Sequence, residues 1–313
     1  MEGPGREDQK WGGCYMPKNE TLFAMLKGLF LSLRPKQWIK NGALFAPLLF
    51  SQNLFNRPLL LKTLEAFVLF CLLAGSVYII NDLKDLKEDR LHPTKRNRPL
   101  ASGKVRPAVA LIFAVVIMAI SFIGGWAISL PFLGILGAYL LLQVLYTFSL
   151  KNQVILDIFS IAAGFVLRVV AGGLAIGVQL SPWLFICTTL LSLFLAMAKR
   201  RHELVLLKEE ATEHRQILKE YSPYLLDQMM GVVTATTVMS YALYTISEET
   251  IAKFHTANLI FTLPFVLYGI FRYLYLVHQK VEGGRPEEIL LTDRPLLLTI
   301  LGWTVTVLVV LYH

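Results

Sequence analysis

The sequence lacks the short motifs by which many soluble enzymes can be recognised. It contains no glycine-rich phosphate loop and no GxSxG turn, which excludes the nucleotide-binding and hydrolase classes that depend on them. Its three cysteines, Cys14, Cys71 and Cys187, are far apart without CxxC spacing, so no zinc site is expected. They are most simply small residues of an apolar core.

The N-terminal region lacks the apolar run of a signal peptide, because residues 1–20 mix glycine, proline and charges. We expect these residues to form a flexible cytoplasmic tail. From Thr21 to Arg34, apolar residues recur at helical spacing and predict an interfacial helix on the membrane, with a lid packed on the membrane domain as the alternative. Residues 21–313 contain no linker or repeat and are expected to form a single domain.

Charged residues are also sparse, at 17% of the chain, whereas 55% is hydrophobic and the mean hydropathy is +0.56. A soluble domain does not bury that much apolar surface in one core, so the surface must face lipid. The sequence predicts an all-α integral membrane protein. Nine transmembrane helices are expected, each long enough to cross about 30 Å of hydrocarbon. They are placed at residues 38–55, 61–80, 107–130, 131–149, 154–177, 182–198, 228–247, 256–278 and 294–312.

Lysine and arginine are distributed unevenly between the loops on the two sides of the membrane. With the N-terminus inside, the outer loops keep only Arg57, Lys62 and Lys253 of the 30 Lys and Arg residues. This bias predicts a multi-pass plasma (inner) membrane protein with the N-terminus and active side cytoplasmic and the C-terminus outside. The basic residues behind the net charge of +8 lie in the cytoplasmic loops next to the membrane, so no nucleic-acid partner is expected.

A run of acidic side chains directly follows the apolar span that ends at Ile80. A continuous helix would place Asn81, Asp85 and Asp89 on one face, with Asp82 beside it. Carboxylate and carbonyl oxygens are the ligands that Mg²⁺ prefers, and Mg²⁺ readily bridges to substrate phosphates. The motif predicts a Mg²⁺-diphosphate site at the mouth of a membrane helix, with a solvated helix end as the alternative.

Polar residues also interrupt the apolar run 146–173. Asp157 and Arg168 are separated by about three helical turns and return to nearly the same face. Charges within a span are unfavourable in lipid, so both are expected to point into the bundle, either at a cavity or in a buried ion pair that fixes packing. Lys151 lies at the helix mouth, where it serves topology or contacts phosphate.

The motif Asn81-Asp82-x-x-Asp85-x-x-x-Asp89 resembles the first Asp-rich motif of the UbiA superfamily of intramembrane prenyltransferases. The resemblance implies a nine-helix bundle with a cytoplasm-facing central cavity, and Mg²⁺ as cofactor. A second motif, DxxxD, completes the site in that family. This chain has Asp157 there but Ile161 at the second acidic position.

A narrower resemblance, to the decaprenyl-phosphate phosphoribosyltransferase branch, rests on residues 89–99, on Leu150-Lys151 with 167–173, and on 199–204. It implies transfer of 5-phosphoribose from phosphoribosyl diphosphate to a polyprenyl phosphate, with release of diphosphate, toward a lipid-linked pentose donor for wall polysaccharides. The alternatives are a UbiA-type enzyme that moves a prenyl chain to an aromatic or other acceptor, and a non-enzymatic transporter or lipid-binding bundle.

A phosphoribosyl diphosphate site needs more cations than a prenyl diphosphate site, because its ligand carries an extra phosphate. Alternatively, these Lys and Arg residues reflect only the usual excess of positive charge in cytoplasmic loops. The candidate catalytic residues are Asp82, Asp85, Asp89 and Asp157, and these four with Asn81 are the candidate metal ligands. The candidate substrate-binding residues are Lys36, Tyr78, His92, Lys95, Arg96, Arg98, Tyr146, Lys151, Arg168, Lys199, Arg200, Arg201 and Glu203. The expected partners are polyprenyl phosphate, phosphoribosyl diphosphate and membrane lipids, and a homo-oligomer is compatible with these features.

Overall fold

A computed structural model describes residues 18–209, 220–280, 284 and 286–312, so most of the predicted tail, 1–17, lies outside the described residues. Within these ranges the regular structure is helical. The α-helices are α1 (Lys18–Ser32), α2 (Ala46–Phe50), α3 (Arg57–Lys84), α4 (Leu86–Leu91), α5 (Pro107–Ile128), α6 (Leu130–Phe148), α7 (Leu156–Ile176), α8 (Pro182–Glu209), α9 (Pro223–Ile246), α10 (Glu248–Phe254), α11 (Leu263–Gln279), α12 (Pro286–Thr292) and α13 (Arg294–Tyr312).

Eight helical segments of the described chain are long and apolar enough to cross a membrane. They correspond to eight of the nine predicted spans. The prediction of a regular helix at residues 38–55 was wrong, because this segment is a 3₁₀ run, Pro35–Phe45, followed by the short helix α2. Pro47 at the start of α2 has no amide hydrogen to donate, which contributes to the interruption of regular helical hydrogen bonding.

The segment Pro35–Phe50 packs inside the bundle against α3 and α7. Leu44 and Leu48 are fully buried. Gly172 of α7 permits the close approach, because a Cβ at this position would overlap the carbonyl group of Leu44. The absence of a Cβ at Gly172 therefore allows the irregular segment to pass close to α7 at this point.

Helices α3 and α7 form the centre of the bundle. In each of these two helices 61% of the most apolar stretch is buried by protein, compared with 17% in α6 and α13. The outer helices expose large apolar side chains such as Ile123, Trp126 and Leu298, as expected for surfaces that face lipid. Asp82 and Asp157 are thus carried by the two most enclosed helices.

Contacts at the two ends of the bundle give the direction of the irregular segment. Arg34, just before it, contacts Asp82 at the end of α3. Gln52, just after it, donates to the carbonyl oxygen of Leu311 at the end of α13. The segment therefore extends from the end of the bundle where α3 finishes to the end where α13 finishes.

Helix α1 contacts the bundle along one side only. Leu29 and Leu33 are buried in a cluster with residues of α3 and α5. Phe23, Leu26 and Phe30 are more than half exposed. The predicted helix 21–34 is confirmed as a helix, with bounds at Lys18 and Ser32.

Candidate functional site

The acidic cluster, defined here as Asn81, Asp82, Asp85 and Asp89, lies where α3 gives way to α4. Asp82 is only 4% exposed and Asp89 only 2%. Arg34 donates to Oδ1 of Asp82 from the loop that precedes Pro35. Two buried carboxylates thus lie at one end of the bundle with cations arranged around them.

Arg98 joins the two buried carboxylates. Its Nη1 lies 3.0 Å from Oδ1 of Asp82 and 2.5 Å from Oδ2 of Asp89. Lys95 Nζ is 4.0 Å from the other oxygen of Asp89. A single nitrogen shared by two carboxylates marks a position where positive charge is strongly favoured.

The predicted grouping of Asn81, Asp85 and Asp89 on one face is only partly confirmed. The regular helix is interrupted at Asp85, whose φ of −92° and ψ of 16° separate α3 from α4. The carboxylates that share a cation are those of Asp82 and Asp89. Asn81 points instead toward α6, where its Oδ1 accepts a hydrogen bond from Thr147 at 3.2 Å. Asp85 is half-buried, and its carboxylate has no hydrogen bond or ion pair with the described residues.

The second group of polar residues, the Asp157 cluster, consists of Asp157, Arg200, Glu203, Tyr146 and Tyr221. Arg200 donates from Nε to Asp157 Oδ2, from Nη1 to Glu203 and from Nη2 to the Tyr146 hydroxyl at 3.0 Å. Tyr221 donates to the other oxygen of Asp157 at 2.7 Å. The Asp157 and Arg200 side chains are 0% and 1% exposed, so this ion pair is fully buried.

A strained turn positions Asp157 at the start of α7. Ile155 has φ 68° and ψ −44°, which is unfavourable for a β-branched residue, and Leu156 N donates to Val154 O across it. The Tyr221 hydroxyl accepts a hydrogen bond from Ile155 N at 2.6 Å. Burial and the hydrogen bond to Asp157 both raise the pKa of Tyr221, so its hydroxyl remains protonated and continues to donate.

The acidic cluster and the Asp157 cluster are neighbours across the end of α6. Thr147 contacts Asn81 through its hydroxyl and Lys84 through its carbonyl oxygen. The adjacent residue, Tyr146, contacts Arg200. The two groups that the sequence predicted separately therefore share one end of the bundle.

Arg168 lies apart from both clusters. It is 5% exposed and donates to Asn41 at 2.7 Å, to the Gly164 carbonyl and to the Tyr139 hydroxyl. The expectation that Asp157 and Arg168 point into the bundle is confirmed. The alternative of a buried ion pair holds for Asp157 with Arg200, whereas the hydrogen bonds found for Arg168 go to uncharged groups.

The other candidate substrate-binding residues are spread around these clusters. Tyr78 packs under Arg34, with its ring centroid 4.9 Å from the guanidinium carbon. His92 accepts backbone hydrogen bonds from Thr94 and Lys95, and Arg201 pairs with Asp227 of α9. Lys36 and Arg96 are exposed, and Lys151 and Lys199 are half-buried.

Several residues of the site were not predicted from the sequence. Arg34 and Tyr221 contact the two key carboxylates, Thr147 holds Asn81, and Asn41 and Tyr139 hold Arg168. Each lies far along the chain from its partner and belongs to no motif. The only sequence signal was the presence of a polar side chain within or next to a predicted membrane segment.

The acidic cluster has the chemistry of a divalent metal site. Among the described residues, no three His, Cys, Asp or Glu side chains are close enough to hold a metal ion on their own. However, Asp82 and Asp89 already share one cationic nitrogen, Asp85 is available nearby, and Mg²⁺ usually completes its coordination with water and substrate phosphate. These donors therefore fit a divalent metal ion whose remaining ligands are water and phosphate oxygens.

A cavity of about 470 Å³ extends along the bundle between α8, α9, α11 and α13. Its lining is mainly apolar and aromatic, including Trp183, Phe194, Tyr241 and Trp303. Phe194 is on the same helix as Arg200, about 9 Å before it. An apolar chamber thus reaches the neighbourhood of the Asp157 cluster.

Comparison with known proteins assigns this chain to a family. The model of the UbiA prenyltransferase family matches residues 42–291. The chain belongs to the UbiA prenyltransferase family. The structure is similar to that of a UbiA homolog from Archaeoglobus fulgidus bound to GPP and Mg²⁺, with a TM-score of 0.66 and 18% identity, covering 91% of this chain and 100% of that one.

Two curated relatives carry a more specific name. The chain is 34% identical over 310 residues to the decaprenyl-phosphate phosphoribosyltransferase of Corynebacterium glutamicum, covering 95% of this chain and 89% of that protein. It is 33% identical over 307 residues to the protein of the same name from Mycolicibacterium smegmatis, covering 95% and 94%. The predicted family and its branch are both confirmed by these similarities.

Proposed function

We propose that this protein transfers 5-phosphoribose from 5-phosphoribosyl 1-diphosphate to a polyprenyl phosphate of the decaprenyl type and releases diphosphate. Similarity over nearly the whole chain to proteins named decaprenyl-phosphate phosphoribosyltransferase is the observation that carries this proposal. The product is a lipid-linked phosphopentose, suited to become a pentose (arabinose) donor for cell-wall polysaccharide such as arabinogalactan.

The cations near the two clusters support a donor with more than one phosphate group. Arg34, Lys95 and Arg98 surround the buried carboxylates, and Arg96 is exposed on the same loop. Arginine binds phosphate oxygens through two parallel hydrogen bonds, and lysine adds a mobile charge. These groups serve the 5-phosphate of the sugar, which a prenyl diphosphate does not carry.

We assign the metal to Asp82, Asp85 and Asp89, with Asn81 nearby, and identify it as Mg²⁺. Held by these carboxylates, the ion would supply positive charge beside the leaving diphosphate. Arg98 must then release the two carboxylates, and its 30% exposed side chain has room to turn toward the donor. The acceptor phosphate is already anionic near neutral pH, so the chain needs no general base to activate it.

The apolar cavity is assigned to the isoprenoid chain of the acceptor. Its lining of Trp183, Phe194 and Trp303 suits an unsaturated hydrocarbon chain and offers little to a polar ligand. The inner end of the cavity, near Tyr273 and Leu296, lies toward the end of the bundle that carries the clusters. The acceptor can thus keep its chain in apolar surroundings while its phosphate reaches the donor.

We infer that the chain crosses the membrane nine times, with the clusters on the cytoplasmic side. The 11-residue 3₁₀ run and the five residues of α2 together measure about 30 Å, which matches the hydrocarbon thickness. The contacts of Arg34 and Gln52 at opposite ends of the bundle support this ninth crossing. An odd number of crossings leaves the C-terminus outside when the N-terminus is inside, and α1 then lies at the cytoplasmic membrane surface.

A paired assay tests the reaction. Purified protein is incubated with Mg²⁺, radiolabelled phosphoribosyl diphosphate and polyprenyl phosphate, and in parallel with polyprenyl diphosphate and an aromatic acid. We expect a labelled lipid product in the first reaction and none in the second. Product in the second reaction alone would assign the chain to prenyl transfer instead.

A further inference from the structure

The two carboxylate clusters differ in how firmly their cations are held. Arg98, the partner of Asp82 and Asp89, follows a loop and has a side chain that is 30% exposed. Arg200, the partner of Asp157, is 1% exposed and has two further partners, Glu203 and Tyr146. The Arg98 side chain can turn from its carboxylates toward solvent or substrate. Arg200 cannot turn away without leaving the buried Asp157 carboxylate without a cation.

Both carboxylate oxygens of Asp157 are already used in contacts with protein groups and are not exposed to a metal ion. Its Oδ2 accepts from Arg200, its Oδ1 accepts from Tyr221, and the residue is 0% exposed. One turn later, Ile161 packs against a core cluster that includes Ile158 and Phe194. The side chain on the same face is therefore apolar and contributes no second carboxylate.

We propose that Asp157 is a positioning residue that fixes Arg200, and through it Glu203, and that the acidic cluster alone holds one divalent metal ion. The proposal rests on the proposed function, because it concerns how that site binds its metal-diphosphate donor. Glu203, whose side chain is 29% exposed, is the carboxylate of the network that reaches the surface, whereas Asp157 is fully buried. Tyr221, Asp157 and Arg200 thus hold a carboxylate in a fixed orientation at the edge of the site.

Metal binding distinguishes a positioning residue from a metal ligand. Mn²⁺ is titrated into purified wild-type protein, and free Mn²⁺ is followed by electron paramagnetic resonance. We expect one bound ion per chain, an affinity within about 2-fold of wild type for Asp157→Asn, and a loss of at least about 10-fold for Asp82→Asn. A loss in Asp157→Asn equal to that in Asp82→Asn, or two bound ions in wild type, overturns the proposal.

Kinetics give a second readout that a purely structural residue would not produce. Asp157→Asn and Arg200→Lys should each raise the Michaelis constant for phosphoribosyl diphosphate by about 10-fold, with the Mg²⁺ concentration for half-maximal rate unchanged. The double variant should be no worse than either single variant, because both changes break one unit. Asp293→Asn, which breaks the Asp293–Arg272 pair, is the matched control and should leave both constants unchanged.

Tyr221→Phe serves if Asp157→Asn does not fold. This substitution removes one hydrogen bond to Asp157. It should raise the Michaelis constant for phosphoribosyl diphosphate by a smaller factor, again without changing Mn²⁺ affinity. An effect of Tyr221→Phe on Mn²⁺ binding also contradicts the proposal. Failure of wild type to bind any Mn²⁺ contradicts the metal site itself, whereas prenyl transfer in the paired assay contradicts only the proposed reaction.

Discussion

Among the residues of the acidic cluster, Asp85 differs in its surroundings. Asp82 and Asp89 are buried and paired with arginine, whereas Asp85 is half-buried and its carboxylate makes no contact of that kind with the described part of the chain. Its backbone continues the hydrogen-bond ladder between Asn81 and Asp89. The side chain thus contributes little to folding and is available for the metal.

Replacing Asp85 should therefore remove activity without affecting stability. We expect Asp85→Asn to lower kcat by at least about 100-fold, because the proposed metal site would lose a ligand, while the melting temperature in detergent changes little. Glu88→Gln is the matched control, since it removes an exposed carboxylate from α4. Near-wild-type turnover in Asp85→Asn contradicts the metal assignment.

Arg98 should have opposite effects on metal and donor. Its Nη1 contacts both Asp82 and Asp89, so in the proposed site it would compete with a divalent ion for them and, once released, bind donor phosphate. We expect Arg98→Gln to tighten Mn²⁺ binding measured without donor, and to raise the Michaelis constant for phosphoribosyl diphosphate by about 10-fold or more. Arg106→Gln, which removes an exposed cation just before α5, should change neither constant. Weaker Mn²⁺ binding by Arg98→Gln contradicts the competition.

At the scale of elements, α7 and the irregular segment, residues 35–50, make a close backbone contact at Gly172. The Leu44 carbonyl lies against Gly172, and Arg168 on the same helix donates to Asn41 in the same segment. Both contacts hold the segment in place, one by close packing and one by a buried hydrogen bond. The position of α7, and with it Asp157, depends on this fit.

Two glycine substitutions test that fit. Gly172→Ala should destabilise the protein by about 1–3 kcal/mol or more, because a methyl group would meet backbone atoms that cannot move aside. Gly137→Ala in α6 is the matched control, since a Cβ there meets nothing within 4 Å, and it should be neutral or slightly stabilising. Thermal unfolding in detergent measures both variants. Equal melting temperatures would show that the contact is not tight.

At the scale of the whole molecule, both clusters lie at the same end of the bundle. The apolar cavity extends away from them, with Lys253 at its far end. This arrangement separates a polar reaction zone from an apolar chamber along the axis of the bundle. In the proposed reaction a lipid phosphate and a soluble sugar diphosphate meet at the polar end, so the orientation of the bundle determines which compartment supplies the donor.

Single cysteines determine that orientation. In a variant without native cysteines, Ser102→Cys lies in the loop that follows the acidic cluster, and Ala257→Cys lies in the loop after α10, at the other end. We expect an impermeant maleimide to label Ala257→Cys in intact cells and Ser102→Cys only after permeabilisation. Labelling of Ser102→Cys in intact cells reverses the assignment.

The sequence by itself determined the membrane class, eight of the spans and the position of the acidic cluster. These features are local, because hydrophobic runs and charges next to them are read within one segment. The interruption of the segment at residues 35–50 was not predicted. Lys40, Asn41 and Pro47 lie within it, but the apolar residues between them were interpreted as part of a regular span. That segment takes its course from its fit against α7 at Gly172.

Only the tertiary structure decided which cation meets which carboxylate. Arg34 is 48 residues from Asp82 in the sequence, and Arg200 is 43 residues from Asp157. No spacing rule connects such pairs, since they form where separate helices end at the same face of the bundle. The assignment of Asp157 to an ion pair, and of Asp82 and Asp89 to a shared cation site, therefore depends on helix packing.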